Sequence, residues 1–238
     1  MKLVYLLITL VFINKGLHAQ TDLNVVVNKS YFDINTGSNF MSGFTVKSPI
    51  INNQIEGNYY LFNNWFQAAF VYDLENKGYK ISNSNFNIKD NAIEVKLPTE
   101  EGKEPEKFIF DSDKISKFVF KNHFFVKKMI DDSGEKYFVE ALIKEGNIKL
   151  YKYQYTEILE ASFNKMTQKK LGKDKILIKY RYFIERNNGA LNEIKLSKSG
   201  IIKALNNSTK LKQYIKENKL KMKKTVDFIN VINYFNSI

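Results

Sequence analysis

Two short stretches hold enough carboxylates to do chemistry. "FDSDK" sets Asp111 and Asp113 two apart, and "IDDSGE" groups Asp131, Asp132 and Glu135. Oxygen-rich clusters of this kind suit a hard cation such as calcium, but neither has the spacing of a twelve-residue calcium loop. Asp, Ser and Gly are also what tight turns use, and turns are the reading taken for both. Two acids across a cleft would serve glycoside hydrolysis, a separation that spacing along a chain does not define. Other chemistries have less to draw on. The chain has no cysteine, and beyond its first nineteen residues His123 is the sole histidine. Thiol nucleophiles and the common zinc sites therefore lack ligands. There is no Gly-x-Ser-x-Gly elbow, Gly-rich phosphate loop, dinucleotide fingerprint or zinc-protease helix. His123, flanked by lysine-bearing positions, reads as a surface residue. No catalytic residue, metal ligand or cofactor is expected.

Aromatic residues offer a binding chemistry instead. "IKLYKYQY" places Tyr151, Tyr153 and Tyr155 on one face of a strand, with Lys152 and Gln154 on the other. "ILIKYRYFIE" repeats the arrangement with Tyr180 and Tyr182 around Arg181. A nucleic-acid platform would need cations beside its rings to track phosphates. Here the charges face away from the rings, so specific nucleic-acid binding is not expected. Trp65 stands in the most aromatic window, "YYLFNNWFQAAFVY". Trp65, Tyr151, Tyr153 and Tyr155 are the candidate ligand surface, set against the plain role of aromatics as packing anchors.

Most of the mature chain alternates apolar and polar residues at period two, the pattern of half-buried strands. In "IEVKL", Ile93, Val95 and Leu97 alternate with Glu94 and Lys96. In "KISKFVFKNHFFVKK", Phe118, Phe120 and Phe124 fall on one face, and Lys121, His123 and Lys127 on the other. "KYFVEALIKEGNIKLYKYQY" reads as two strands around a turn at Glu145-Gly146-Asn147. "LPTEEGKEPEK" is a proline-bearing acidic loop.

After Leu196 the period changes. "SKSGIIKAL" is a short helix candidate. Leu211, Tyr214 and Ile215 follow helical spacing behind Ser208 or Thr209 as N-cap. Phe228, Val231, Ile232 and Phe235 form the apolar stripe of a last helix, widened by Val226 and Ile229 and capped by Thr225. The expected fold is α+β, mainly β: an antiparallel sandwich or open barrel over 20–196, followed by two or three helices in a basic segment over 197–238.

The first nineteen residues read as a signal peptide. Lys2 precedes the apolar run Leu3 to Ile13, and "LHA" offers Ala19 for cleavage. The run is shorter than the roughly 20 residues needed to span a bilayer. No later segment is apolar enough to cross one, so a soluble periplasmic or secreted protein is expected.

The formal charge of +12 falls to +10 once Lys2 and Lys15 are removed. Of 37 basic residues only Arg181 and Arg186 are arginine, the side chain suited to bidentate phosphate recognition. Nine lysines against Glu217 and Asp227 put +7 of the charge beyond Ser197. Lys210, Lys212, Lys216, Lys219, Lys221, Lys223 and Lys224 are the candidate contacts to an anionic surface.

Three stretches together carry a resemblance: "GNYYLFNNWFQAAFVY" running on to "NAIEVK", "KYFVEALIKEGNIKLYKYQY", and "KLKQYIKENKLKMKKTVDFINVINYFNS". The chain resembles a family of exported, β-rich proteins from Bacteroidetes-type bacteria. The likeness implies an envelope or secreted location and no activity. The resulting expectation is a non-catalytic binding or interaction module, its partner an anionic envelope component or another exported protein. The alternatives are a periplasmic carrier of a hydrophobic ligand beneath a helical lid, and a carboxylate-based glycan hydrolase.

Overall fold

The computed structural model describes residues 24–26, 43–47, 55–65, 67–97, 101, 106–206 and 209–238. The expected signal peptide lies outside them, as do Ser208 and most of the acidic loop. The strands are β1 (Asn24–Val26), β2 (Gly43–Lys47), β3 (Ile55–Glu56), β4 (Gln67–Asp73), β5 (Gly78–Asn87), β6 (Ala92–Lys96), β7 (Glu106–Phe110) and β8 (Ile115–Phe120). They continue with β9 (His123–Met129), β10 (Lys136–Ile143), β11 (Ile148–Leu159), β12 (Phe163–Asn164), β13 (Lys169–Lys170), β14 (Asp174–Arg186) and β15 (Leu191–Ile194). Three helices end the chain: α1 (Lys198–Ala204), α2 (Thr209–Glu217) and α3 (Thr225–Ser237).

Thirteen strands form one open sheet in the order β15-β14-β11-β10-β9-β8-β4-β5-β6-β7-β2, with β1 beside β5 and β3 beside β14. Those last two pairings are parallel and the rest antiparallel. The mainly β class with helices at the C-terminal end is as expected. The sheet curls until the β5–β6 turn meets β10: Asn91 Nδ2 donates to Phe138 O at 3.1 Å, and Phe138 N–H donates to Asn91 Oδ1 at 2.6 Å. Seven buried phenylalanines fill the inside of that curl. Among them, the Phe118 ring stacks on Phe125 at 4.5 Å and meets Phe138 edge-on at 4.9 Å.

The helices cover a second apolar area, over Ile143, Ile148, Leu150 and Ile184. In α1, Ser197 caps the helix by accepting from Gly200 N–H at 3.1 Å. Leu211 and Ile215 of α2 and Phe228, Val231 and Ile232 of α3 are buried, and Tyr214 stacks on Tyr234 at 4.0 Å. Asn236 clamps Ile148, donating to its carbonyl at 2.8 Å and accepting from its N–H at 2.9 Å.

Four local expectations are corrected. Lys121 takes a left-handed φ of 50°, so the aromatic run breaks into a two-residue hairpin in which Phe120 pairs with His123. Phe125, not Phe124, therefore joins Phe118 in the core. Lys224 is the residue preceding α3, without a side-chain cap bond, so Thr225 is inside the helix and does not cap it. Val226 is 52% exposed, because the apolar stripe of α3 is satisfied by Phe228, Val231 and Ile232. Finally, the end of the acidic loop is β7, in which Lys107 is buried.

Candidate functional site

The sheet brings a buried glutamate against a lysine in three places, two across adjacent strands and one, Glu185 with Lys128, across the two strands between β14 and β9. Glu140, 5% exposed, lies directly across from Lys152. Its Oε2 accepts from Lys152 Nζ at 2.5 Å and from Gln154 Nε2 at 3.2 Å, while Oε1 faces His123 Nδ1 at 2.7 Å. An ionised carboxylate only accepts, so Nδ1 carries the imidazole proton. Burial pushes the Glu140 carboxyl up, but the His123 hydrogen bond and the Lys152 charge outweigh it, and the group sits below its ordinary range.

Glu185, 3% exposed, is held in the same manner. Its Oε2 accepts from Lys128 Nζ at 2.7 Å and from the Tyr151 hydroxyl at 2.6 Å. Burial again opposes ionisation, and these two donors again prevail, leaving the carboxyl lowered. The Tyr151 phenol is pushed up, first by burial and then by Glu185.

The third network involves the fully buried Glu94. Glu94 Oε2 accepts from Lys107 Nζ at 2.7 Å and from the Tyr60 hydroxyl at 3.0 Å, and Asn87 Nδ2 donates to Oε1 at 2.6 Å. Asn87 Nδ2 also donates to Asp90 at 2.7 Å. The amide thus stands between two acids, but Glu94 has no face open to a substrate. Burial and Glu94 together raise the Tyr60 phenol.

Removing a charge partner from such a pair leaves an uncompensated buried ion, so these networks hold strands in register. The His123–Glu140 pair is an oriented imidazole, yet no serine or threonine hydroxyl among the described residues bonds that ring. No group of three or more His, Asp or Glu among the described residues could share a metal ion. Asp111 and Asp131 accept from the backbone N–H groups of Asp113 and Ser133, at 3.0 and 3.1 Å, the bonds of ordinary turns.

The lowered carboxyls predict an acid limit. A carboxyl whose folded value lies below its unfolded one adds stability that is complete above the unfolded value and is lost as pH falls through the folded value. For Glu140 and Glu185 the unfolded value is near 4.5. The urea midpoint, followed from neutral pH to about pH 3, is expected to decline below that value. The decline should be shallower in Glu140→Gln.

The candidate aromatic residues do not form one surface. Tyr151 is buried, its hydroxyl engaged by Glu185, because the second face of β11 packs against Val139, Ile130 and Phe183. Tyr153 and Tyr155 are half-buried and stacked at 6.1 Å, and Tyr137 meets Tyr153 edge-on at 5.5 Å. Trp65 is elsewhere, half-buried against Tyr60 at 4.8 Å with Lys107 over its ring; β10, β9, β8, β4 and β5 separate β11 from β6 in the sheet. Lys210, Lys212, Lys216, Lys219, Lys221, Lys223 and Lys224 are all exposed. None of these seven has an ion pair among the described residues.

Exposed apolar side chains are concentrated at one place the alternation does not announce. Strands β11 and β14 form a long ribbon, and Ile158, Leu159, Phe163, Met166 and Leu171 lie exposed at its far end. A shallow groove of about 430 Å³ runs beside this ribbon, between residues 57–63 and Ile176–Lys179. Among the described residues no helix is long and apolar enough to cross a membrane.

These features define an open, mostly antiparallel sheet with a helical end and a projecting two-stranded arm. No protein-family model, curated protein or solved structure matches the chain.

Proposed function

We propose that the protein is an exported, non-catalytic binding module of the cell envelope that acts through its surface. The observation carrying this reading is where apolar surface is spent. The curl of the sheet is packed with phenylalanine rings, which leaves a carrier little room for a ligand. The three buried glutamates are each neutralised by a lysine, which leaves a hydrolase without a free acid there. The uncovered apolar side chains at the end of the β11–β14 ribbon are what remains available for recognition. The apolar run Leu3 to Ile13 and Ala19 support export.

Fractionation of cells tests this. The wild-type chain is expected in the envelope fraction, and the double variant Phe163→Ser/Met166→Ser is expected to move to the soluble fraction with its thermal unfolding unchanged. Equal retention of the variant would remove the ribbon from the function, and a turnover activity lost on a single substitution would replace the proposal with an enzyme.

A further inference from the structure

Resting on that reading, we propose that the end of the β11–β14 ribbon docks directly onto an anionic lipid bilayer. The arm is ordered to its apex. The long ladder ends with Ile158 opposite Ile176 and Leu159 opposite Lys175, and Ala161 N–H then donates to Asp174 Oδ1 at 2.9 Å. Leu171 N–H donates to Ser162 O at 2.7 Å, and Phe163 and Asn164 pair with Lys170 and Lys169. Asn164 Oδ1 closes the turn by accepting from Met166 and Thr167 N–H, at 2.9 and 3.2 Å. Four backbone N–H groups of the arm, those of Ala161, Met166, Thr167 and Leu171, are thus tied within the hairpin, while Met166 at its summit is 96% exposed.

Five of the eleven large apolar side chains exposed among the described residues fall between Ile158 and Leu171. The same arm, from Ile158 to Ile176, carries Lys165, Lys169, Lys170, Lys173 and Lys175 against Glu160 and Asp174, and Lys175 faces Glu56 at 3.2 Å. Lys170 is paired with Asp174. Lys165, Lys169 and Lys173 have no carboxylate partner among the described residues, and all three are exposed.

Shape and charge together select the occupant. The apex of a two-stranded hairpin is narrow, and its apolar side chains alternate with lysines along the arm rather than gathering into an apolar centre within a polar rim, as a specific protein interface has. A bilayer interface yields around such a wedge, taking apolar side chains about 5–10 Å into the acyl boundary while lysines remain at the headgroups. Anionic headgroups complement the unpaired lysines, which attract them within a Debye length of the surface.

The lysine-rich helical end is the competing cationic surface, and the fold separates the two. The helices pack at the Ile148 end of β11, about ten residues and so about 33 Å of strand from Ile158. The two can be tested separately.

The mature chain is to be sedimented with phosphatidylcholine vesicles, with and without about one-third phosphatidylglycerol. Binding to the anionic vesicles is expected, at least about tenfold weaker without phosphatidylglycerol or in high salt. Met166→Ser/Leu171→Ser and Lys165→Glu/Lys169→Glu should each weaken it by about tenfold or more, and Lys221→Glu/Lys223→Glu by much less. No sedimentation with anionic vesicles would overturn the proposal, as would loss caused by the helical-end variant with the arm variants unaffected. A concentration-dependent dimer, abolished by the arm variants in the absence of any vesicle binding, would assign the arm to a second copy of the chain and also overturn it. Ribbon-dependent retention in the envelope fraction, combined with no vesicle binding, would defeat the lipid partner alone and leave the surface-binding reading standing.

Discussion

Phe118→Ala is expected to cost about 3–5 kcal/mol, the range for deleting a fully buried aromatic ring. Phe118 has no exposed surface, and its ring meets four others: Phe86 at 5.2 Å, Phe120 at 5.6 Å, Phe125 at 4.5 Å and Phe138 at 4.9 Å. Each aromatic pair adds about 0.5–1.5 kcal/mol beyond area burial. The neighbouring rings belong to β5, β8, β9 and β10 and are fixed by sheet pairing, so the site cannot collapse around the void. A domain has only about 5–15 kcal/mol to lose. Urea unfolding should show a much lower midpoint with an unchanged slope, whereas Phe44→Ala, at an exposed position on the edge strand β2, should shift it little.

The second large effect comes from charge. Glu140→Leu removes the acceptor of both Lys152 and His123 and strands Lys152 between strands, a loss of about 3–5 kcal/mol. Glu140→Leu/Lys152→Met replaces both ends of the pair with apolar groups and should recover most of that loss. By contrast, the exposed Lys175–Glu56 pair at 3.2 Å is worth under about 1 kcal/mol. A double-mutant cycle on Glu140 and Lys152 measures the difference. Equal costs for the buried and exposed pairs would contradict the account of these networks as fixed register pins.

The helices were legible because Leu211, Ile215, Phe228, Val231 and Ile232 repeat at helical spacing, and the stripes are buried between α2, α3 and the sheet end at Ile143, Ile148 and Leu150. The turn at Glu145-Gly146-Asn147 was legible through Gly146, which takes a φ of 101°. The hairpin at Lys121-Asn122 was not, because lysine gives no sign of adopting a left-handed backbone.

Alternation also misled where both faces of the sheet are covered. It assigns Glu94 to solvent, and Lys107 ends what reads as the acidic loop, yet each is buried, and the hydroxyl that joins them comes from Tyr60, 34 and 47 residues away. No local window contains that partner. Tyr151 takes the packing role that its place on the strand also allowed, since Ile130, Val139 and Phe183 cover its face of β11. The arm did leave a trace in "ASFNKMTQKKLGKDK", where Phe163, Met166 and Leu171 stand alone among polar residues. Such residues carry no periodicity, and only the geometry of β12 and β13 brings them to one apex.

The central claim is that the sheet is solid inside and meets its partner from outside, after export. Native mass spectrometry of protein recovered from the envelope tests it most directly. A chain starting at Gln20, with any lipid adduct lost in the Met166→Ser/Leu171→Ser variant of the arm, is the predicted result. A chain still beginning at Met1, or a stoichiometric lipid retained by that arm variant, would contradict it.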